Sequence, residues 1–357
     1  MTDAAQEPDS RPFADSPEAA APLPVAVIGS GRSSRFYREC LTLDSRFEVT
    51  SQADELPQDA DLKSPAAVCL FDATATRLAS IRQCLASGCR VVTESPVAAS
   101  ASDELAALSG SDNGSSTVFI LRRGLEDPDF RRAWEVVSDG EAGDVRHVEF
   151  TLQQTAAFFL PEDLDAPDPA NLSAPVELES GVLAAFGPDL LAQTLTLIPQ
   201  PAVRLFATMS FRRPEFGPVE SPPGTSRLAA RPADVDSGFR VWLEFETGET
   251  AQLTVDLASH ADVATGWTLQ TTRGGYRNSR KVLTEADGEI YDVPVEAGDS
   301  SQFDAVAAFL DGGDLEDATA SDRLRRLFSL QTELRVLKLL EAIRESAAKR
   351  QSVECRI

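Results

Sequence analysis

The chain has 357 residues, enough for two domains that each bury a core. Its formal net charge of −24, from 33 basic and 57 acidic residues, argues against a protein that binds nucleic acid or an anionic membrane surface. No apolar run approaches the length of a membrane span, and the acidic, Ala/Pro/Ser-rich residues 1–22 lack the apolar centre of a secretory signal. We therefore predict a cytoplasmic protein with a disordered tail over residues 1–22.

Cysteine and histidine usage argues against disulfides and transition metals. The five cysteines are an odd number without a Cys-x-x-Cys pair, which predicts reduced thiols. The two histidines, His147 and His260, have no partner at ligand spacing, so we predict no metal site.

After the tail, strands and helices alternate as far as residue 123. Predicted strands are Val25–Ile28, Phe47–Ala53, Ala66–Phe71, Val91–Thr93 and Thr117–Leu121, and predicted helices are Ser33–Leu43, Ala73–Ser87 and Asp103–Leu108. This alternation predicts a mostly parallel, doubly wound sheet.

The pattern changes after residue 123 to helices, alternating strands and two Pro-rich stretches at 160–175 and 213–232. Predicted helices are Phe130–Val137, Gly181–Leu197 and a long amphipathic C-terminal helix with an apolar stripe from Leu324 to Ile343; predicted strands are Val145–Gln153, Arg240–Glu246, Ala251–Leu257, Thr268–Thr272 and Ile290–Pro294. This half is predicted to be rich in antiparallel hairpins, and the stripe is expected to be core.

Residues 25–34, VAVIGSGRSS, are an apolar run followed by Gly29-x-Gly31. A strand that enters a glycine turn and then a helix leaves backbone N–H groups where a pyrophosphate can bind. Asp54 ends the next extended segment about twenty residues further on, where an acid can bind a ribose. Ser34 stands where the dinucleotide fingerprint has a third Gly or Ala, so an ordinary turn that binds nothing is the alternative.

Residues 67–96 carry an apolar strand, a helix that ends at Gly88, and a strand that leads into Glu94-Ser95-Pro96. This segment resembles the glucose–fructose oxidoreductase / inositol dehydrogenase / MocA (Gfo/Idh/MocA) family, whose members have Glu-Lys-Pro at that point. Further motifs that resemble the family are the Asp-Pro-x-Phe at 127–130, the turn at 138–145, the Gly-rich hairpin at 271–275 and the helix at 303–313.

The resemblance implies an α/β fold with an N-terminal Rossmann-type, NAD(P)-binding domain, doubly wound and parallel, over residues 23–123. A C-terminal α+β domain over residues 124–357 would carry an open, mainly antiparallel sheet and the long helix. The implied chemistry is hydride transfer between NAD(P) and a carbon that bears a sugar or cyclitol hydroxyl, with a Lys and a His handling the hydroxyl proton. The open sheet implies a homodimer or higher homo-oligomer.

The sequence departs from the family where this chemistry is carried. Ser95 replaces the Lys of Glu-Lys-Pro, Asp189 stands at the position of the His, and Arg77 stands where another His is usual. The two acids of the same helix motif are Ala185 and Ala192 here. Losing one group that stabilises an alkoxide commonly costs about 10²–10³ in rate, and an Asp of ordinary pKa is a poor base at neutral pH.

The catalytic candidates are Ser95, Asp189 and Tyr276; their alternatives are a plain loop, a solvated acid at a helix start and a surface hairpin. The cofactor-binding candidates are strand-end and turn residues: Gly29, Ser30, Gly31, Arg32, Ser33, Asp54, Asp72, Ala73, Glu94 and Pro96. Asp54 favours NAD, and Arg32 with Ser51 leaves NADP open. Arg122 and Arg123 could bind an acidic substrate or pair with the chain's own carboxylates.

Two hypotheses follow. The first is an NAD(P)-dependent oxidoreductase that acts on a sugar-like hydroxyl or carbonyl compound with altered catalytic residues. The second is a catalytically inactive relative that serves as a nucleotide- or ligand-binding, sensing or assembly subunit. In both, the partner is a small molecule, with no nucleic acid and no membrane.

Overall fold

The computed structural model describes residues 21–30, 32–56, 67–72, 74–98, 100–101, 103–110, 117–122, 125, 128–138, 140, 142–153, 181–211, 236–257, 264–278, 282–285, 289–292, 302–310 and 328–357. Most of the predicted tail and both Pro-rich stretches lie outside these residues. Within them, no helix is long and apolar enough to cross a membrane, and no group of three or more His, Cys, Asp or Glu side chains could hold a metal ion. All five cysteines are buried without a disulfide, and burial raises the pKa of the Cys69 thiol to about 12.

The N-terminal sheet is parallel throughout, as predicted. Its strands are β1 (Leu23–Ile28), β2 (Phe47–Ala53), β3 (Ala67–Leu70), β4 (Arg90–Glu94) and β5 (Val118–Leu121), in the order β2-β1-β3-β4-β5. Helices α1 (Arg32–Leu43), α2 (Thr74–Ala86) and α3 (Asp103–Ser109) connect them. All four residues of β3 and of β5 are buried, which is typical of parallel strands covered on both faces.

The strand order reverses between β1 and β3. The chain goes from β1 to β2 on one side and then forms β3 on the other side of β1. In open α/β sheets, ligands bind outside the carboxyl ends of the strands at such a reversal. The topology therefore indicates a site next to Gly29 and Phe71, which follow β1 and β3.

The second sheet is mixed and mainly antiparallel. Its strands are β6 (Val145–Gln153), β7 (Ala202–Ser210), β8 (Gly238–Phe245), β9 (Thr250–Asp256), β10 (Ala264–Thr271), β11 (Gly274–Arg277), β12 (Val282–Glu285), β13 (Ile290–Asp292) and β14 (Val353–Glu354). Their order is β13-β12-β11-β10-β6-β9-β8-β7-β14, with β6 and β9 parallel. Strands β7, β12 and β14 were not predicted, although the side chains of β7 alternate between buried and exposed.

Among the described residues, helices cover one face of this sheet and none covers the other. Helices α4 (Pro128–Ser138) and α5 (Val182–Leu197) connect or flank its strands, and α5 packs on β6, β8 and β9. On the opposite face, alternate residues are exposed, including the aromatic side chains of Phe206 and Trp242, which are cross-strand neighbours. The predicted open sheet is thus present.

The chain returns to the N-terminal sheet after the second one. Helix α6 (Gln302–Leu310) places Phe303 against the rings of Tyr37 and Phe47. Phe328 then stacks on Phe119, with ring centroids 4.6 Å apart. The elements after residue 300 therefore contribute to the core around the first sheet.

The C-terminal helix α7 (Leu330–Lys349) links the two sheets. It begins at the cap Ser329, whose side chain accepts a hydrogen bond from the Thr332 N–H. It packs on α3 and β5 near its start and on β7 further along, and Ser346 Oγ accepts a hydrogen bond from the Ala207 N–H at 2.9 Å. The described part of its apolar stripe is buried at Leu337, Leu340 and Ile343 and half-buried at Leu334, as expected of core, whereas Leu324 and Leu327 lie outside the described residues.

Candidate functional site

The glycine turn after β1 is formed by a close approach of two backbones. Gly29 has a φ of +136°, and a Cβ at this position would lie 2.5 Å from the carbonyl oxygen of Phe71. The Gly29 N–H also donates to the Ala53 carbonyl at 2.9 Å. Only glycine can join the ends of β1, β2 and β3 in this way. The exposed Ser30 follows it directly.

The structure explains the departure at Ser34. Its side chain is buried, and Oγ donates to the Gly29 carbonyl oxygen at 2.7 Å. Serine is thus small enough for α1 to pack against the turn, and it satisfies one carbonyl of that turn. Gly31 lies outside the described residues; Arg32 and Ser33 form the first positions of α1, at the helix start where N–H groups can receive an anion.

Asp54 lies beside this turn. It follows the last residue of β2, Ala53, which is the register partner of Ile28 in β1. Its side chain is exposed, so it is accessible to a ligand at the turn. This is the arrangement that the sequence predicts for a ribose-binding acid.

A buried arginine joins the carboxyl ends of β3 and β4. Arg77, in the first turn of α2, is only 4% exposed. Its guanidinium donates to the carbonyl of Asp72 (2.5 and 3.2 Å), the carbonyl of Glu94 (3.1 Å), the carbonyl of Pro96 (2.8 Å) and Glu94 Oε1 (3.1 Å). We refer to Arg77, Asp72 and Glu94 as the Arg77 cluster.

Two carboxylate oxygens of the Arg77 cluster have no hydrogen-bond partner among the described residues. Asp72 Oδ2 accepts from Ser80 Oγ at 2.7 Å, but Asp72 Oδ1 and Glu94 Oε2 are buried without a hydrogen-bond partner in the described part of the chain. Buried acceptors without partners cost about 1–3 kcal/mol each. Two such oxygens beside the strand-order reversal are what a ligand with hydroxyl donors would satisfy.

A second cluster of buried polar and charged side chains begins at Ser95, the residue after Glu94. Ser95 Oγ donates to the carboxylate of Glu333 on α7, at 2.8 Å to Oε2. Arg122, directly after β5, donates to Glu333 Oε2 at 2.8 Å and to Ser95 Oγ at 3.3 Å. Arg122 and Glu333 are both 0% exposed. We refer to these three residues as the Glu333 cluster.

The Glu333 cluster is fully satisfied. Glu333 Oε1 also accepts the Val97 N–H at 2.9 Å, so both of its oxygens are bonded. The Ser95–Pro96 peptide bond is cis. Of the two interpretations for Arg122, pairing with a carboxylate of the chain is the one that the structure contains. Ser95 would have to break its bond to Glu333 in order to serve a substrate.

The other two catalytic candidates lie on elements of the second sheet and its flanking helix. Asp189 is half-buried on α5. Tyr276 is on β11, in the predicted hairpin, but its side chain is 4% exposed and its ring lies 5.0 Å from that of Trp267. Tyr276 also lines a cavity of about 10 Å³ with Val136 and Leu269, which has room for about one water molecule rather than a sugar.

Two residues of this region were missed by the sequence interpretation. Arg77 was noted only as a departure from the family, because nothing in the sequence shows which acceptors a helix residue will reach. Glu333 left a readable signal. It lies three residues after Leu330 and four before Leu337, on the buried stripe of α7. An acid on an apolar stripe needs a buried partner, and Arg122 follows the fully apolar strand β5. Ala73 lies outside the described residues.

Comparison with known proteins gives one family match. Residues 130–277 match the model of the GFO/IDH/MocA C-terminal domain. This range begins at α4 and ends with β11, so it contains Asp189 and Tyr276. No curated protein sequence shows significant similarity to the chain.

Solved structures share the whole architecture. GenD2 from gentamicin A biosynthesis, solved in complex with NAD, has 19% identity and a TM-score of 0.66 over 97% of this chain and 99% of GenD2. An NAD-binding protein from Listeria innocua has 18% identity and a TM-score of 0.64 (94% and 100% covered). A myo-inositol dehydrogenase from Corynebacterium glutamicum has 15% identity and a TM-score of 0.61 (94% and 99% covered). The chain therefore shares the fold of these solved structures.

Proposed function

We propose that this chain is a Gfo/Idh/MocA-type oxidoreductase that binds a nicotinamide dinucleotide, NAD in preference to NADP, at the carboxyl end of its first sheet. Its substrate would be a sugar- or cyclitol-like hydroxyl or carbonyl compound. The similar proteins solved with NAD or described as NAD-binding support the cofactor class. The match of residues 130–277 supports a substrate domain of this family.

The observation that carries the proposal is where the candidate ligand-binding groups lie. The glycine turn, the exposed Asp54 and the two leftover oxygens of the Arg77 cluster follow β1, β2, β3 and β4, on both sides of the strand-order reversal. A structural cluster would be expected to satisfy its own acceptors. Acceptors left over at this point fit a ligand that brings hydroxyl groups to both sides.

The residues present fit a dinucleotide. The start of α1 and the turn at Gly29 would hold the pyrophosphate, and Asp54 would accept hydrogen bonds from the adenosine ribose. When bound, the nicotinamide supplies the hydride acceptor or donor. The chain itself must hold the reacting oxygen and its proton, and Asp189 is the ionisable candidate for this role in the matched domain. Ser95 stabilises the loop after β4 through Glu333 and stays a candidate only if that bond is exchanged.

Calorimetry with NAD+, NADH, NADP+ and NADPH tests the cofactor proposal. We expect NAD(H) to bind more tightly, and Asp54→Asn to weaken that binding about tenfold, because hydrogen bonds to a charged acceptor are lost. Glu55→Gln is the matched control, since Glu55 is the adjacent exposed acid. Absence of binding by all four nucleotides at millimolar concentration would exclude the oxidoreductase proposal.

A binding protein without turnover is the second candidate, and the bonded state of Ser95 favours it. The hydroxyl that replaces the family's Lys is engaged by Glu333 and Arg122. Once a cofactor binds, an assay of sugars and cyclitols that records the change in NADH absorbance distinguishes an oxidoreductase from a binding protein without turnover. Turnover that survives in Asp189→Asn would remove Asp189 from the mechanism.

We also propose that two copies associate through the open face of the second sheet. Phe206 and Trp242 are exposed neighbours on that face. In a two-fold symmetric dimer, both subunits contribute the same surface patch to the interface. Sedimentation velocity should show a dimer that Trp242→Glu disrupts. Leu43→Glu is the control, because Leu43 is an exposed apolar residue at the end of α1, away from this sheet. A monomeric wild-type chain would contradict the proposal.

A further inference from the structure

We infer that Arg77 is a positioning residue for the part of the nucleotide site that does not bind the adenosine. It holds the ends of β3 and β4 so that the carboxylates of Asp72 and Glu94 face the same ligand. The inference rests on the proposed nucleotide site. It assigns to Arg77 a role that neither the fold nor the glycine turn requires.

The hydrogen bonds of Arg77 fix backbone rather than a single side chain. Three of its acceptors are the carbonyl oxygens of Asp72, Glu94 and Pro96. These residues follow or end two neighbouring strands, so the planar guanidinium fixes the spacing between the two strand ends. All of its N–H directions point to acceptors, as expected of a rigid five-donor fork.

The same contacts leave one oxygen of each carboxylate without a hydrogen bond. Arg77 donates a hydrogen bond to Glu94 Oε1. Its Nε lies 3.7 Å from Asp72 Oδ1, which is too far for a hydrogen bond. Asp72 Oδ1 and Glu94 Oε2 keep their acceptor capacity. A ligand with hydroxyl donors, such as a ribose, supplies the missing hydrogen bonds. The cluster has two acids and one base, so it would not favour an anionic ligand group.

The sheet topology indicates which part of a dinucleotide the Arg77 cluster would contact. Asp54 follows β2, on one side of β1, whereas Asp72 and Glu94 follow β3 and β4 on the other side. A dinucleotide spans the reversal with its pyrophosphate at the central turn. With the adenosine on the Asp54 side, the second nucleoside lies over the Arg77 cluster.

Binding of whole and half ligands tests this assignment. NAD+ reaches both sides, whereas ADP reaches only the turn and the Asp54 side. We expect Arg77→Gln to weaken NAD+ binding about tenfold or more and ADP binding less than about twofold, since only contacts to the second nucleoside are lost. Arg77→Lys should restore part of the NAD+ affinity, because it keeps the charge with fewer donors.

The control is Arg82→Gln, on the same helix. Arg82 is exposed and pairs with Glu104, so its loss should change neither affinity. Equal losses for NAD+ and ADP in Arg77→Gln would show a merely structural role and would overturn the inference, as would no loss at all. If neither Arg77 variant folds, Glu94→Gln carries the same split, and equal losses there overturn it too.

The outcome also separates this inference from the proposed function. Wild-type chain that binds neither NAD+ nor ADP contradicts the proposed function and the inference with it. Wild-type binding of both ligands with an unchanged ratio of affinities in the Arg77 variants contradicts only the inference. Thermal unfolding of every variant is measured alongside, so that a loss of folded protein is not mistaken for a loss of affinity.

Discussion

Two buried charged clusters lie on either side of the loop after β4, and they differ in how completely they satisfy themselves. In the Glu333 cluster, both carboxylate oxygens are bonded and the acid is matched by Arg122. In the Arg77 cluster, one arginine serves two acids, and Asp72 Oδ1 and Glu94 Oε2 have no hydrogen-bond partner in the described residues. The first arrangement satisfies its own charged groups, whereas the second has two acceptors that the proposed ligand would satisfy.

The two clusters also connect different parts of the molecule. The Glu333 cluster ties β4 and β5 to α7, and α7 reaches β7 of the second sheet. The Arg77 cluster connects only α2 with the ends of β3 and β4 in the first sheet, near the strand-order reversal. Natural proteins tend to leave local conflicts at functional sites and to resolve them elsewhere, and this contrast follows that rule.

The largest expected effect is on folding, from Glu333→Gln. Removing this charge leaves Arg122 buried without its counter-ion, which typically costs about 3–5 kcal/mol. Urea denaturation should show a decrease of that size in the free energy of unfolding. Glu345→Gln is the matched control on the same helix, because Glu345 pairs with Lys349 at the surface and should cost less than about 0.5 kcal/mol.

A double variant sharpens this prediction. Replacing both charges, as in Arg122→Met with Glu333→Leu, should be less destabilising than Glu333→Gln alone, since no buried charge is left unmatched. A double variant that is as unstable as the sum of its singles would show that the hydrogen bonds to Ser95 and Val97, rather than the ion pair, carry the stability of the cluster.

Glu94→Gln is predicted to have the opposite profile. Arg77 keeps the carboxylate of Asp72 at 3.7 Å and its carbonyl acceptors when Glu94 loses its charge, so the free energy of unfolding should fall by less than it does in Glu333→Gln. The affinity for NAD+ should fall about tenfold, because hydrogen bonds to a charged acceptor are lost. Unfolding curves and calorimetry on the same sample test both parts. A large loss of stability with unchanged affinity would erase the distinction between the two clusters.

Ser95→Ala tests the smaller member of the Glu333 cluster. It removes one hydrogen bond to a buried carboxylate, which should cost about 1.5 kcal/mol of stability. NAD+ affinity should stay within about twofold. Ser95→Thr, which keeps the hydroxyl, should recover part of the stability if the loop accommodates the methyl group. A turnover loss much larger than the stability loss would return Ser95 to the catalytic group.

The fold was largely predictable from local pattern, because each buried strand and the glycine turn are encoded within a few residues. Residues 67–71 and 117–121 are apolar runs of strand length, and both are strands. Strand β7 was missed although its alternation is clear in the structure, since Ala202 and Ala207 are weak markers of a buried face. Pairing across the second sheet depends on contacts distant in sequence.

The site was only partly predictable for the same reason. Gly29 and Asp54 could be placed because a turn and a strand end are local features. Ser95 looks like a substitute for a catalytic Lys until Glu333, 238 positions further along the chain, is brought to it. Glu333 and Arg122 come together only when α7 folds against the first sheet. The sequence shows an acid on an apolar stripe and an arginine after an apolar strand, but it does not show that the two residues pair.

The smallest predicted effect comes from a group outside both clusters. His147, on the open face of the second sheet, lies 2.8 Å from Thr250 Oγ1, and its pKa is lowered below its usual value, chiefly by burial. Protonation therefore costs more in the folded than in the unfolded chain. The stability that its neutral form contributes is present above the unfolded pKa of about 6.5 and is lost as pH falls through the lower folded pKa.

His147→Asn should therefore reduce the loss of stability between about pH 7.5 and about pH 5, measured as the change in Tm against wild type. The difference should be small, because the ring is only partly buried and acids elsewhere titrate in both proteins. If a second copy covers this face, burial is deeper and the difference grows with protein concentration. An identical pH dependence in both proteins at every concentration would contradict both the lowered pKa and a partner at this face.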